Sequence, residues 1–110
     1  LCPVGVRRKV EVALEELFVN VCRYAYADQD EPGMVQVSYA YGVNPSTITV
    51  ELRDNGVPFD PIKRQDPTKP SDIQEVGIGG LGIYMVRKSM DDFTYMRNGN
   101  TNVVVIKKGW

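Results

Sequence analysis

The hydrophobic period switches between helical and strand spacing in a set order along this chain, and that order constrains the fold more than any single motif. Between Arg7 and Ala27, the residues Val10, Ala13, Leu14, Leu17, Val21 and Ala25 recur at three- and four-residue spacing, the stripe of a helix packed on a core. Asp28 to Gly33 carries Pro32 and Gly33 and predicts a turn. From Met34 to Tyr41 the period becomes two, with Val35, Val37, Tyr39 and Tyr41 on one side, which predicts a half-buried strand. Asn44-Pro45-Ser46 then leads into Thr47 to Arg53, where Ile48, Val50 and Leu52 face one way, so these two strands are expected to be antiparallel neighbours. Helical spacing returns with Leu81, Tyr84, Met85 and Lys88, up to about Met90. Asp92 to Met96 and Thr101 to Lys107 follow as a hairpin through Asn98-Gly99-Asn100. The order predicts a two-layer α/β (α+β) sandwich, a mixed and mainly antiparallel sheet with its helices on one face. A chain of 110 residues, 43% hydrophobic and 25% charged, has room for one such core.

Composition removes several functions. A formal net charge of -1 gives no electrostatic reason to expect nucleic acid or an acidic membrane surface. No apolar run approaches the roughly 18 residues of a membrane span, and no signal-peptide pattern opens the chain. Cys2 and Cys22 form no CxxC pair and suit a reducing compartment, so the sequence reads as a soluble cytoplasmic domain. With no histidine, this chain cannot itself supply a Ser-His-Asp triad, a histidine zinc site or a phosphoacceptor histidine. Carboxylates, amides, backbone groups, lysine and arginine remain. The first residue is Leu1 rather than Met, and an upstream segment is expected to be missing.

Three elements carry chemistry. Glu16 and Asn20 stand four residues apart, so both side chains leave one side of the helix a turn apart. A carboxylate there can accept a proton, and an amide oxygen can join the one or two protein ligands that magnesium takes beside water and phosphate. A solvated polar helix face would show the same spacing. Asp54-Asn55-Gly56 closes an apolar strand. Its carboxylate could accept from the exocyclic amine of adenine and would reject the guanine oxygen, while Gly56 leaves the backbone open to a base. An ordinary turn is the plain alternative. Gly77-Ile78-Gly79-Gly80-Leu81-Gly82 satisfies GxGxxG, yet no apolar strand precedes it and the position about 20 residues onward holds Asn102 rather than an acid. A dinucleotide fold is thereby excluded, and the lack of a following Lys-Ser/Thr excludes a P-loop. Glycines exposing N–H groups at a helix N-terminus still make a phosphate site. Between the second and third elements, Pro58, Pro61, Pro67 and Pro70 interrupt a charged stretch that predicts a long lid-like or disordered loop.

At these residues the chain resembles the ATP-binding domain shared by gyrase, Hsp90, histidine kinases and MutL, the GHKL superfamily. Glu16-Leu-Phe-Val-Asn20 is similar to its N-box, Asp54-Asn55-Gly56 to its first glycine box and Gly77 to Gly82 to its second. Asp54-Asn-Gly-Val-Pro-Phe-Asp60-Pro, and Gly80-Leu-Gly-Ile-Tyr-Met-Val-Arg87 before Met90-Asp-Asp-Phe, are most similar to the bacterial anti-sigma factor serine kinases. The resemblance covers roughly residues 6 to 108 and implies a single histidine-kinase-like ATPase domain, 1–110, with the Bergerat fold. It implies ATP and Mg2+ as cofactors, Glu16 as catalytic base and Asn20 as magnesium ligand. It further implies that Asp54 contacts adenine and that Gly56, Gly77, Gly79, Gly80, Leu81 and Gly82 cradle the nucleotide. The activity implied is transfer of the γ-phosphate to a serine or threonine of a partner. The partners implied are a sigma factor and an anti-anti-sigma protein of STAS type, with a homodimer as a further option.

Two departures stand out. The family normally has a further strand and helix before the N-box helix, whereas almost nothing precedes Arg7 here. Some members carry a basic residue just before the phosphate-loop glycines, where this chain has Ile78; Lys63, Arg64 or Lys69 are the available substitutes. Two other readings stay open, a non-catalytic ATP-binding or sigma-binding module and the ATP-binding domain of a split sensor kinase.

Overall fold

Helix α1 spans Val4–Asn20 and continues into a wider π turn, Val21–Ala25, in a computed structural model that describes residues 2–26, 33–63 and 82–110. The helix begins three residues before Arg7 because Pro3, with φ of -61°, is already set for a helix start, and Arg7 N–H bonds to its carbonyl at 3.0 Å. Strands β1 (Val35–Gly42) and β2 (Thr47–Asp54) follow, then a short 3-10 turn, Pro61–Lys63. Helix α2 covers 82–89, and β3 (Asp92–Asn98) and β4 (Thr101–Gly109) complete the described elements.

The four strands form one sheet in the order β1-β2-β4-β3, and every pairing among the described residues is antiparallel. Both hairpins expected from turn chemistry are present. Gly99 takes the left-handed φ of 61° that the two-residue turn between Asn98 and Thr101 requires.

The α1 stripe meets the sheet as its spacing implies. Val10, Ala13, Leu17, Val21 and Ala25 pack with Ile83, Val86 and Met90 over Ile48, Val50, Leu52, Val104 and Ile106. Burial of each large aliphatic side chain contributes about 1.5–3 kcal/mol. In β2, exposure alternates without a break, and the face that buries Ile48, Val50 and Leu52 also carries Asp54 inward to 3% exposure. Strand periodicity has therefore delivered a carboxylate to the helix-covered side.

The expectation of a half-buried β1 needs correction. Val37, Tyr39 and Tyr41 pair with Leu52, Val50 and Ile48, so they lie on the helix side, yet they remain 46%, 67% and 58% exposed. Alternation separates two faces of a strand but does not say what covers either. Here the helices sit over β2 and β4, and β1 is an edge.

Candidate nucleotide-binding site

Asn20 ends α1 with its side chain 1% exposed, so the solvated-face reading of this position is wrong. Its Nδ2 donates to the Glu16 backbone carbonyl at 2.7 Å. That bond settles which amide atom is which, because an oxygen there would face another acceptor. Oδ1 is consequently directed elsewhere, and it is buried with no hydrogen-bond partner among the described residues. Buried oxygens without a partner are rare, and a hard cation or a water is the chemistry that satisfies one. The donor set thus fits a magnesium ion that takes most of its ligands from water and phosphate.

Glu16, one turn earlier, is half-buried. Its carboxylate lies against Gly82 at the start of α2, where an added Cβ would overlap it. A Cβ here would displace the end of the Glu16 side chain, and the approach brings the last residue of the glycine run to the predicted acid.

Just past Asn20 the π turn makes a second contact. Tyr26 N–H bonds to the Val21 carbonyl at 3.2 Å, and the Ala25 carbonyl accepts instead from Val57 N–H at 2.9 Å. A Cβ on Gly56 would collide with the Ala25 carbonyl and side chain. Gly56 is therefore needed for backbone packing against Ala25, a different reason from the base access inferred from sequence. One helix and its π turn touch both glycine motifs.

Asp54 is held by a buried polar network. Its Oδ1 accepts from Gly56 N–H and from Asn102 Nδ2, each at 2.9 Å. Asn102, 1% exposed, also donates to the Val57 carbonyl at 2.9 Å and accepts at Oδ1 from Tyr95 Oη at 2.6 Å and Phe59 N–H at 3.3 Å. Burial pushes the Tyr95 phenol up from its ordinary pKa, with the Arg97 charge pulling the other way, which keeps it a protonated donor. Both bonds that Asp54 accepts in this network fall on Oδ1, which fixes the carboxylate plane and leaves Oδ2 outside it.

The loop after Asp54 is tied from several sides. Asn55 N–H donates to Tyr26 Oη at 2.8 Å, and that hydroxyl donates to the Met34 carbonyl at 2.7 Å. Arg97 Nη1 donates to the Gly56 carbonyl at 2.8 Å. Tyr24 stacks on Phe59 with ring centroids 4.8 Å apart.

Of the residues singled out in the sequence, Glu16, Asn20, Asp54, Gly56 and Gly82 are joined by these contacts. Gly77, Ile78, Gly79, Gly80 and Leu81 lie outside the described residues, as do Arg64, Lys69 and most of the turn before β1. Sequence reasoning missed Asn102 and Tyr95, and it read Ala25 only as part of the buried helix stripe. Asn102 entered it only as the wrong residue for a dinucleotide fold, and its role becomes visible through the β2–β4 register, which sets it opposite Asp54.

Residues 1–108 match the family model described as the histidine kinase-like ATPase domain. The chain belongs to that family. Among curated proteins it is similar to "Serine-protein kinase RsbW" of Listeria monocytogenes serotype 4a, at 28% identity over 102 residues, covering 89% of this chain and 63% of that protein. The protein of the same name from Bacillus velezensis is 30% identical over 102 residues, covering 89% and 62%. The chain thus spans less than two thirds of the length of these relatives. Among solved structures, Acinetobacter baumannii histidine kinase AdeS superposes with a TM-score of 0.59 at 18% identity, over 94% of this chain and 46% of that one. This likeness establishes the fold, an open antiparallel sheet with helices on one face. No helix among the described residues is long and apolar enough to cross a membrane.

Proposed function

We propose that this chain is the ATP-binding and phosphoryl-transfer domain of an anti-sigma-factor-type serine/threonine-protein kinase. It moves the γ-phosphate of ATP to a serine or threonine of a partner protein. The observation that carries this reading is the Oδ1 of Asn20, buried and without a hydrogen-bond partner among the described residues, one turn from the Glu16 carboxylate. A binding module needs the first group but has no use for the second.

In this reading Asn20 Oδ1 holds magnesium, which when bound neutralises phosphate charge. Asp54, its Oδ1 occupied by Gly56 and Asn102, presents Oδ2 to the adenine amine and selects against guanine. Glu16 accepts the proton of the partner's hydroxyl, and the glycine run with the α2 N-terminus receives the phosphates. Positioning and charge complementarity supply most of the catalysis. The partners are a sigma factor and an anti-anti-sigma protein of STAS type, in a cytoplasmic partner-switching pathway. The similarity to serine-protein kinases supports this branch over a sensor kinase that phosphorylates histidine.

The deciding experiment incubates the chain with radiolabelled ATP, magnesium and candidate partners. Acid-stable phosphoserine or phosphothreonine on the partner is expected. Acid-labile label would mark a split histidine kinase, and ATP binding without transfer would mark a binding module.

A further inference from the structure

Arg87 joins α2 to the loop that follows Asp54, its Nη2 donating to the Ile62 carbonyl at 2.7 Å. Ile62 is the middle residue of the 3-10 turn Pro61–Lys63, whose own bond, from Lys63 N–H to the Asp60 carbonyl, is long at 3.4 Å. Two shorter bonds hold Ile62 instead. Asp60 Oδ1 accepts from its N–H at 2.9 Å, and the guanidinium, a charged donor, takes its carbonyl. Residues 55–60, just before the turn, have no helix or strand bonds, so side chains from elsewhere fix their place. Phe59 N–H donates to Asn102 Oδ1 at 3.3 Å, and Asn102 Nδ2 holds Asp54 Oδ1 at 2.9 Å. Contacts therefore run from Asp54 through Asn102, Phe59 and Ile62 to Arg87 on α2. The first residue of that helix, Gly82, lies against the Glu16 carboxylate, five residues or about 7.5 Å of helix from Arg87.

We propose that Arg87 is a positioning residue of the nucleotide site. Through the Ile62 carbonyl it holds the loop at the adenine end in register with the α2 N-terminus at the phosphate end. The inference rests on the nucleotide reading of this site given above. A ligand with two binding groups gains from the second contact only where geometry lets both engage at once. Loosening the loop from α2 leaves the chemistry of each end intact and costs their joint occupation. A tie that served stability alone would lower the melting temperature without distinguishing a whole nucleotide from its halves.

The test measures calorimetric affinities of the full chain for ATP, adenosine and inorganic tripolyphosphate in magnesium buffer, with melting curves for every variant. Arg87→Met keeps much of the apolar stem and removes the donor. It is expected to weaken ATP about tenfold while adenosine and tripolyphosphate stay within about twofold. Arg87→Lys, which keeps a charged donor, should return ATP to within about threefold of the unsubstituted protein. Should Arg87→Met melt below the assay temperature, Arg87→Gln carries the same comparison. Unchanged ATP affinity, an equal loss for adenosine or tripolyphosphate, or no recovery with lysine overturns the positioning role. So does an unsubstituted protein that binds ATP but no adenosine at about 10 mM, since it would have no separate adenine end to position. Failure of the unsubstituted protein to bind any of the three ligands defeats the nucleotide reading itself, and the positioning role with it. A selective loss of ATP in a protein that transfers no phosphate leaves Arg87 in place and defeats the kinase reading.

Discussion

Asn102 donates from Nδ2 to Asp54 Oδ1 at 2.9 Å, across a register pair of β2 and β4. All the hydrogen-bonding capacity of the Asn102 amide is used, because it also meets Val57, Tyr95 and Phe59. Asn102→Ala would leave a buried donor and acceptor unpaired and free the carboxylate to rotate. The expected cost is about 2–3 kcal/mol, a fall in Tm of roughly 10 °C, with weaker adenine-nucleotide binding. A melting curve within 2 °C of the unsubstituted protein would show that the network is dispensable.

Two glycines should respond with opposite sign to the same substitution. Gly56→Ala drives a Cβ into the Ala25 carbonyl and should destabilise by about 1–3 kcal/mol. It should also speed hydrogen exchange at the Val57 amide, which that carbonyl holds. Gly5, in the first turns of α1, has nothing within 4 Å of an added Cβ. Gly5→Ala should stabilise by about 0.5–1 kcal/mol through helix propensity. Denaturant unfolding of the two variants checks both, and equal signs would contradict the packing at Gly56.

Asn20 tests whether its unpaired oxygen awaits a cation. Asn20→Ala removes one hydrogen bond and one orphaned acceptor together, so the ligand-free protein should lose less than about 1 kcal/mol. A buried apolar residue of similar exposure, as in Leu52→Ala, should cost about 2–5 kcal/mol. ATP affinity of Asn20→Ala should fall only when magnesium is present. Equal weakening in EDTA would remove the metal role.

Glu16→Gln preserves size and polarity but cannot take a proton. ATP affinity should stay within about twofold, while transfer to the partner falls about 10²- to 10⁴-fold. Full transfer by this variant in a single-turnover assay would remove Glu16 from the chemistry.

Asp91 gives a pH signature remote from the site. The Gly109 N–H holds its carboxyl below the usual range, with Lys108 and Lys9 adding to the effect. A depressed folded pKa contributes stability above the unfolded value of about 4 and loses it as pH falls through the folded one. The stability gap between the unsubstituted protein and Asp91→Asn should therefore be constant above about pH 5 and close below about pH 4. Urea unfolding across that range checks it, and a gap that widens toward acid would show the opposite linkage.

Element types were legible because period is local. The α1 stripe and the alternation of β2 follow from consecutive side-chain directions, so spacing alone identified the buried set from Val10 to Ala25 and from Ile48 to Leu52. The turn at Asn98-Gly99-Asn100 was legible for a related reason, since glycine adopts the required positive φ with little strain. The exposure of Tyr39 and Tyr41 was not legible, because it depends on where the helices end over the sheet.

The sequence by itself determined the order of helices and strands, the spacing that puts Glu16 and Asn20 on one side of α1, and the strand parity that sends Asp54 inward. These are properties of neighbours in the chain. Only the tertiary structure decided that Asn102 orients Asp54, that Ala25 requires Gly56 to be glycine, and that Asn20 Oδ1 is buried without a partner among the described residues. Each of those depends on groups brought together by β-sheet register or helix-on-sheet packing across sequence separations that no period encodes, and burial is what turns such a meeting into a strong constraint.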